Sequence, residues 1–225
     1  MYYDAGVKRY KIKYKYFFPR SFRLRRFVKK IIRRKMNWEN KTFTDDYSTV
    51  SSTWDKASIQ YHYSWMEAAI CKWLPAGPKT ISGMVLDIGS GAGHWLEFYR
   101  RLGYVVDGME ISKPQAKKLD IMNQDIVTVI PYAMPDLYDI VNAIGVLHHI
   151  MTDAKLIKAI NNIKQLTYGK SNLIFIGTRF DFELKEKNRW YRPLSFWEKH
   201  LDIIGLERSD PGKLHKHLDL IIARA

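Results

Sequence analysis

The chain has 225 residues and a formal net charge of +14. That length suits one α/β domain with a full core and an appendage, while the single cysteine, Cys71, excludes an intrachain disulfide and points to a reducing compartment. No apolar run reaches the roughly 18 to 20 residues of a membrane span and the N-terminus lacks the uncharged core of a signal peptide, so the expected location is cytoplasmic or peripheral at a membrane.

The charge is concentrated at one end. Residues 1–36 hold fourteen Lys and Arg against Asp4 alone, a net +13 that leaves +1 for the rest of the chain. Residues 1–20 interleave Lys with Tyr and Phe, and Ser21 can cap a helix running to about Lys35. Leu24, Phe27, Val28, Ile31 and Ile32 form its narrow apolar stripe, with Arg and Lys over the remainder. Three readings stand: an anionic membrane surface, where apolar burial and headgroup attraction add; nucleic acid, through phosphate neutralisation and aromatic stacking; or packing of the stripe on the rest of the chain. Residues 37–56 are polar and without a sustained period, a linker or a loop laid over the domain. The organisation is therefore a basic extension and linker over 1–56 and one domain over 57–225.

The domain opens with a helical pattern from Ser58 to Leu74, closed by Pro75 and Gly77. Its Tyr61, His62, Tyr63 and Trp65 are candidate cleft-lining groups, although aromatics on such a helix are usually core. Cys71 belongs to the same pattern and reads as buried filler. Strands are expected over 84–88, 104–109, 127–130, 139–144 and 172–177, with helices between them, the order of a doubly wound parallel sheet. The clearest helix is Asp153 to Leu166 after a Thr152 cap. A later helix is expected to start at Ser195, with Glu198 completing a capping box and Gly205 ending it. The run from His217 to Ala225 is strand-like.

At the centre lies VLDIGSGAGHW, residues 85–95. An apolar run enters Gly89, Gly91 and Gly93, and a helix starts at about His94. Its free N–H groups would face an anionic or hydrogen-bond-accepting ligand. The dinucleotide fingerprint would put its last glycine where His94 stands, which disfavours a nicotinamide cofactor. The next apolar run ends in Glu110, placed to accept two ribose hydroxyls of a nucleoside. No Cys/His/Asp spacing suits zinc.

Asp87-Ile88-Gly89-Ser90-Gly91-Ala92-Gly93, together with Glu110 and with YDIVNAIGVLHHI at Tyr138 to Ile150, resembles the class I S-adenosylmethionine-dependent methyltransferases. The resemblance covers about Ala57 to Ala225. It implies a Rossmann-like seven-stranded sheet, mostly parallel, whose last strand, 217–225, is antiparallel and closes the sheet. It also implies S-adenosyl-L-methionine as cofactor. By resemblance, Asp87 helps hold the methionine amino group, the turn of Gly89, Ser90, Gly91 and Gly93 receives the cofactor, and Glu110 takes the ribose. Ile144 and Gly145 border the methionine and ribose. Many relatives carry an acid after the third strand for the adenine amino group, whereas here Pro131 and Tyr132 fall there and Asp125 precedes the expected strand.

The implied chemistry is in-line displacement, in which an acceptor O, N or C nucleophile attacks the sulfonium methyl. A base is needed only where that nucleophile keeps its proton. His148 is the candidate base, with His149 expected to hydrogen-bond within the fold or to reach substrate. The connection Thr178 to Pro193 is the counterpart of an acceptor-pocket segment in relatives. Its Arg179, Trp190, Tyr191 and Arg192, with Tyr61 from the first helix, are the candidate groups for an anionic or planar acceptor. A small-molecule or lipid-like acceptor is expected. The alternatives are an RNA methyltransferase using the basic arm and a non-catalytic adapter that keeps the fold.

Overall fold

A computed structural model describes residues 56–74, 83–128, 137–167, 172–209 and 218–225. All belong to one compact unit, Phe43–Ala225. The expected basic helix, the linker up to residue 55, Pro131 and Tyr132 lie outside the described residues.

The elements in chain order are α1 (Lys56–Trp73), β1 (Met84–Ile88), α2 (His94–Arg101), β2 (Val105–Glu110), α3 (Lys113–Leu119), β3 (Met122–Asn123) and β4 (Ile140–Ile144). A 3₁₀ turn, Leu147–His149, precedes α4 (Asp153–Leu166) and β5 (Leu173–Thr178). Then come β6 (Leu184–Lys185), β7 (Trp190–Tyr191), α5 (Leu194–His200), β8 (Asp202–Glu207) and β9 (Asp219–Arg224). Seven strands form one sheet in the order β3-β2-β1-β4-β5-β9-β8, and β6 and β7 make a separate hairpin. Strands β1 to β5 run parallel, while β9 is antiparallel to both β5 and β8.

The sheet is doubly wound because its central strands are apolar on both faces. Val85, Ile140, Phe175 and Ile222 face one way and pack with Met66 and Ile70 of α1 and Trp95 and Tyr99 of α2. Leu86, Val141, Ile174 and Ile221 face the other, against Leu156, Ile160 and Ile163 of α4 and Trp197 of α5. Each such aliphatic side chain contributes about 1.5 to 3 kcal/mol on burial. This two-sided burial fixes the register, since a one-residue slip would exchange the two sets of side chains.

Several expectations are corrected. The third strand is Met122–Asn123; of the expected 127–130, residues 127 and 128 lie in a turn over 126–128 and residues 129 and 130 lie outside the described residues, so Asp125 follows the strand instead of preceding it. Helix α5 has Pro193 as its cap residue, with Ser195 inside the helix, and Ile204 and Gly205 belong to β8. Trp73 lies where a Gly205 side chain would project, a Cβ there coming within 2.3 Å of its ring. The last strand is antiparallel in a seven-stranded sheet as expected, and it lies between β5 and β8. Cys71 is exposed on α1 and not buried filler. By contrast, α4 spans Asp153–Leu166 as expected, with the Thr152 hydroxyl accepting from the Lys155 amide.

Candidate active site

The carboxyl ends of β1, β2 and β4 lie side by side, and the turns leaving them build the site. After β1 the chain passes through Gly89, Gly91 and Gly93 at φ +66°, +50° and +92°. Gly89 and Ser90 donate to the Met109 carbonyl at 2.7 and 3.2 Å, tying the turn to β2. Gly89 meets both demands on glycine, because a Cβ there would also stand 2.4 Å from the Val146 side chain. Ser90 is buried, its hydroxyl donating to the Asp87 carbonyl at 3.0 Å. Gly93 caps α2 in the left-handed conformation.

Asp87 is 1% exposed. Asn142 of β4 donates to its Oδ1 at 2.7 Å and itself accepts from the Tyr99 hydroxyl at 3.3 Å. Oδ2 of Asp87 is buried with no hydrogen-bond partner among the described residues. Burial pushes its carboxyl up to about 7, against the lowering pull of the Asn142 hydrogen bond and of the neighbouring Ser90 hydroxyl. An orphaned buried carboxylate oxygen is costly and suits a cationic ligand group.

Glu110, also 1% exposed, ends β2. Its two oxygens accept from the Gly91 amide at 3.0 Å and the Ser112 amide at 2.9 Å. Beside it opens a cavity of about 280 Å³, lined in part by Gly89, Glu110, Gln124, Asp125, Gly145 and His149. Asp125 accepts from the Val127 amide at 2.9 Å and stands at this cavity because β3 ends before it. Gly145, at φ +76°, leaves β4 at the cavity rim, while Ile144 is buried in the strand above it in sequence.

The two histidines after β4 part company. His148 does not line the cavity; it is 4% exposed and stacks on Tyr191 with ring centroids 4.8 Å apart. Burial first, then His149, Arg189 and Arg192, hold its imidazole well below the usual histidine range. His149 does line the cavity, with Nδ1 3.0 Å from the Asn188 carbonyl in the β6–β7 turn. As a carbonyl only accepts, Nδ1 carries the proton in that bond. The structure thus sets His148 in packing and His149 at the cavity.

The other candidates for the acceptor are spread along the hairpin. Arg192, 2% exposed, donates to Asp153 at 3.2 Å and to the Trp190 carbonyl at 2.8 Å, with its guanidinium 4.0 Å over the Trp190 ring. Trp190 donates to Glu183 at 2.9 Å. Arg179 lies over the rings of Phe182 and Tyr191. None of these four lines the cavity, and of the expected cofactor residues Gly89, Glu110 and Gly145 line it whereas Asp87, Ser90, Gly91, Gly93 and Ile144 do not. Tyr61 lies on α1, and its side chain is outside the described part. His94, which disfavoured a dinucleotide, stacks on Tyr63 at 3.6 Å and lies 3.0 Å from Glu67.

Sequence reasoning passed over Asn142 and Tyr99, and misplaced Asp125. Asn142 did carry a signal: an amide inside the apolar run IVNAI must be hydrogen-bonded if the strand is buried.

The strand order, with a glycine turn after β1 and an acid ending β2, defines a Rossmann-like nucleoside-binding methyltransferase fold. The family model of a methyltransferase domain matches residues 62–206, and the chain belongs to that family, as a class I S-adenosylmethionine-dependent methyltransferase. No curated protein matches the sequence. Among solved structures, the chain is similar to the 1,6-didemethyltoxoflavin-N1-methyltransferase of Burkholderia thailandensis, at 17% identity and a TM-score of 0.58, covering 79% of this chain and 83% of that one. It is also similar to the magnesium protoporphyrin IX methyltransferase of Synechocystis, at 16% identity and 0.57, covering 75% and 83%. A third is a putative S-adenosylmethionine-dependent methyltransferase of Listeria monocytogenes, at 14% and 0.53, covering 72% and 97%.

Proposed function

We propose that this methyltransferase transfers the methyl group to an O or N nucleophile of a small-molecule or lipid-like acceptor, with the buried, unpartnered Oδ2 of Asp87 as the carboxylate that receives the cofactor's ammonium group. That oxygen carries the reading, because a desolvated carboxylate beside the glycine turn is relieved by taking up a proton or by a cation or donor brought to it, and the cofactor's ammonium group is such a cation. When bound, S-adenosylmethionine supplies a methyl group already activated on a sulfonium, so the protein's task is positioning.

Glu110 accepts the ribose hydroxyls and Asp125 the adenine amino group, both at the described cavity. The turn of Gly89, Ser90, Gly91 and Gly93 brings backbone close to the cofactor, and Ile144 and Gly145 border it from β4. His149 lies nearest the cavity of the two histidines, with Asn188 holding its Nδ1 proton. The hairpin carrying Trp190 and Tyr191, whose turn meets this histidine at Asn188, shapes the acceptor side together with Arg179 after β5 and Arg192 after β7. Two of the similar structures are, by name, a toxoflavin-precursor and a porphyrin methyltransferase, which supports a small acceptor. Residues 1–36 attach the protein to an anionic membrane surface; their composition supports this, an apolar stripe being what interfacial insertion requires beyond charge.

The test is transfer of a tritiated methyl group to cell extract divided into small molecules, lipids, RNA and protein, with full-length protein and a form lacking residues 1–36. Label in the small-molecule or lipid fraction is expected from both forms on soluble acceptors, with vesicle-bound acceptor labelled only by the full chain. Label confined to RNA and lost on truncation would make the enzyme an RNA methyltransferase. A protein that binds S-adenosylhomocysteine and labels no fraction would be an adapter.

A further inference from the structure

The glycine turn is gripped from one side by more than Glu110. At its crest, Gly91 offers its amide to Glu110 Oε2 at 3.0 Å, and its carbonyl accepts from the side-chain amide of Gln115. Gln115 sits in the first turn of α3, whose cap residue is Ser112, and the Ser112 amide donates to the other Glu110 oxygen at 2.9 Å. The contacts close a ring from Gly91 through Glu110 and Ser112 along α3 to Gln115 and back to Gly91. Gly91 is at φ +50° and has no side chain to pack, so these two bonds are what hold its peptide groups among the described residues.

The two grips differ in what cofactor binding asks of them. Glu110 already accepts from two backbone amides and, on the reading above, must also receive two ribose hydroxyls. Each carboxylate oxygen has a second lone pair, so Glu110 can take the hydroxyls as well, its carboxylate then being shared between the turn and the ligand. Gln115 has no such second duty: its nitrogen is committed to the Gly91 carbonyl, which a carboxylate could not hold.

We propose that Gln115 is a positioning residue for the cofactor, its side-chain amide keeping the Gly91 peptide in place while Glu110 turns to the ribose. This rests on the S-adenosylmethionine reading of the same site. The needed chemistry is a hydrogen-bond donor at the end of a chain of glutamine's length, since the partner is a carbonyl. Glutamate matches glutamine in shape and at neutral pH presents only acceptors, so it isolates the donor from the packing.

The experiment is calorimetric titration of S-adenosylhomocysteine into the full chain and into Gln115→Glu, Gln115→Met and Gln115→Lys, with thermal unfolding of each without ligand. The expected result is binding weakened about tenfold in the Glu and Met forms, the usual loss for one hydrogen bond to a ligand-shaping group. Lys, which keeps a donor, recovers at least a threefold share of that loss. Melting temperatures stay within a few degrees, because Gln115 is only partly buried. Unchanged affinity in Gln115→Met overturns the proposal, and so does equal weakening by Lys and Glu. If the Met form fails to fold, the Glu and Lys pair decides the matter alone. Failure of the unaltered chain to bind S-adenosylhomocysteine would overturn the cofactor reading itself, a result separate from any difference among the variants.

Discussion

The glycine turn between β1 and β2 and the β6–β7 hairpin are built on different plans. Around β1 and β2 the chain leaves a buried acid half-satisfied, at Asp87, and shapes a turn from backbone. At the β6–β7 hairpin the candidate side chains are held by neighbouring residues, Arg192 by Asp153, Trp190 by Glu183 and Tyr191 by His148, while Arg192 Nη2, Arg189 Nε and His148 Nδ1 are also buried without a hydrogen-bond partner among the described residues. A buried acceptor left open stores a demand that a proton or a ligand can meet, and in the first region that demand falls on a carboxylate beside a turn shaped from backbone. In the second the open atoms are nitrogens of side chains that ring stacking and ion pairs already hold in place.

The largest effect that would sharpen this contrast is expected from Gly89→Ala. The substitution forces an L-residue to φ +66° and a Cβ to 2.4 Å from Val146, together about 2 to 4 kcal/mol of strain and overpacking. Thermal unfolding should register that loss, and binding of S-adenosylhomocysteine should fall below detection. Gly103→Ala is the control, as its φ of +92° meets nothing within 4 Å. It should cost only about 1 kcal/mol and leave binding intact. Equal losses at the two positions would break the claim that Gly89 is set by close approach.

Next in size is the response of Asp87 to pH. Its folded carboxyl titrates at about 7, above its ordinary value of 3.8, so between those values the folded protein holds a proton that the unfolded chain has lost. The stabilising contribution of that proton is complete below the ordinary value and disappears as pH rises through about 7. A ligand ammonium group favours the ionised form, so affinity for S-adenosylhomocysteine should rise at least roughly tenfold from pH 5.5 to 7.5 and then level off, with proton release on binding. In Asp87→Asn the rise should flatten and affinity at pH 7.5 drop by about 1.5 to 3 kcal/mol, the worth of a charge-assisted bond. A parallel pH profile in the variant would remove Asp87 from contact with the ammonium group.

The smallest effect on binding is expected on the other side of the comparison. Arg192→Met removes two hydrogen bonds and a guanidinium stacked on Trp190. Stability should fall by about 1 to 3 kcal/mol, while S-adenosylhomocysteine affinity changes less than about twofold because Arg192 does not line the cofactor cavity. Thermal unfolding and calorimetry on the same sample separate the two. A large loss of affinity with unchanged stability would place Arg192 in the ligand site after all.

The glycine turn, the acid ending β2, the central strands and α4 were all legible in the amino-acid sequence because each is written locally. Near-continuous apolarity marks a strand covered on both faces, and a threonine cap marks a helix start. What the sequence could not order was competition between similar signals. The β-branched run at 127–130 is a stronger local strand signal than Met122–Asn123, yet it is Met122–Asn123 that pairs with Met109 and Glu110, and residues 127 and 128 lie in a turn. That choice moved Asp125 to the cavity. Leu201 and Ile204 continue the helical spacing of α5, but pairing with β9 makes the second of them part of a strand. The opposite roles of His148 and His149 were also hidden, since adjacent residues differ only in which way the turn after β4 aims them. The sequence alone determined the family, the cofactor and the positions of Asp87 and Glu110. Only the tertiary structure decided which polar groups are already paired and which wait for a ligand, because burial and hydrogen-bond satisfaction depend on residues tens of positions away.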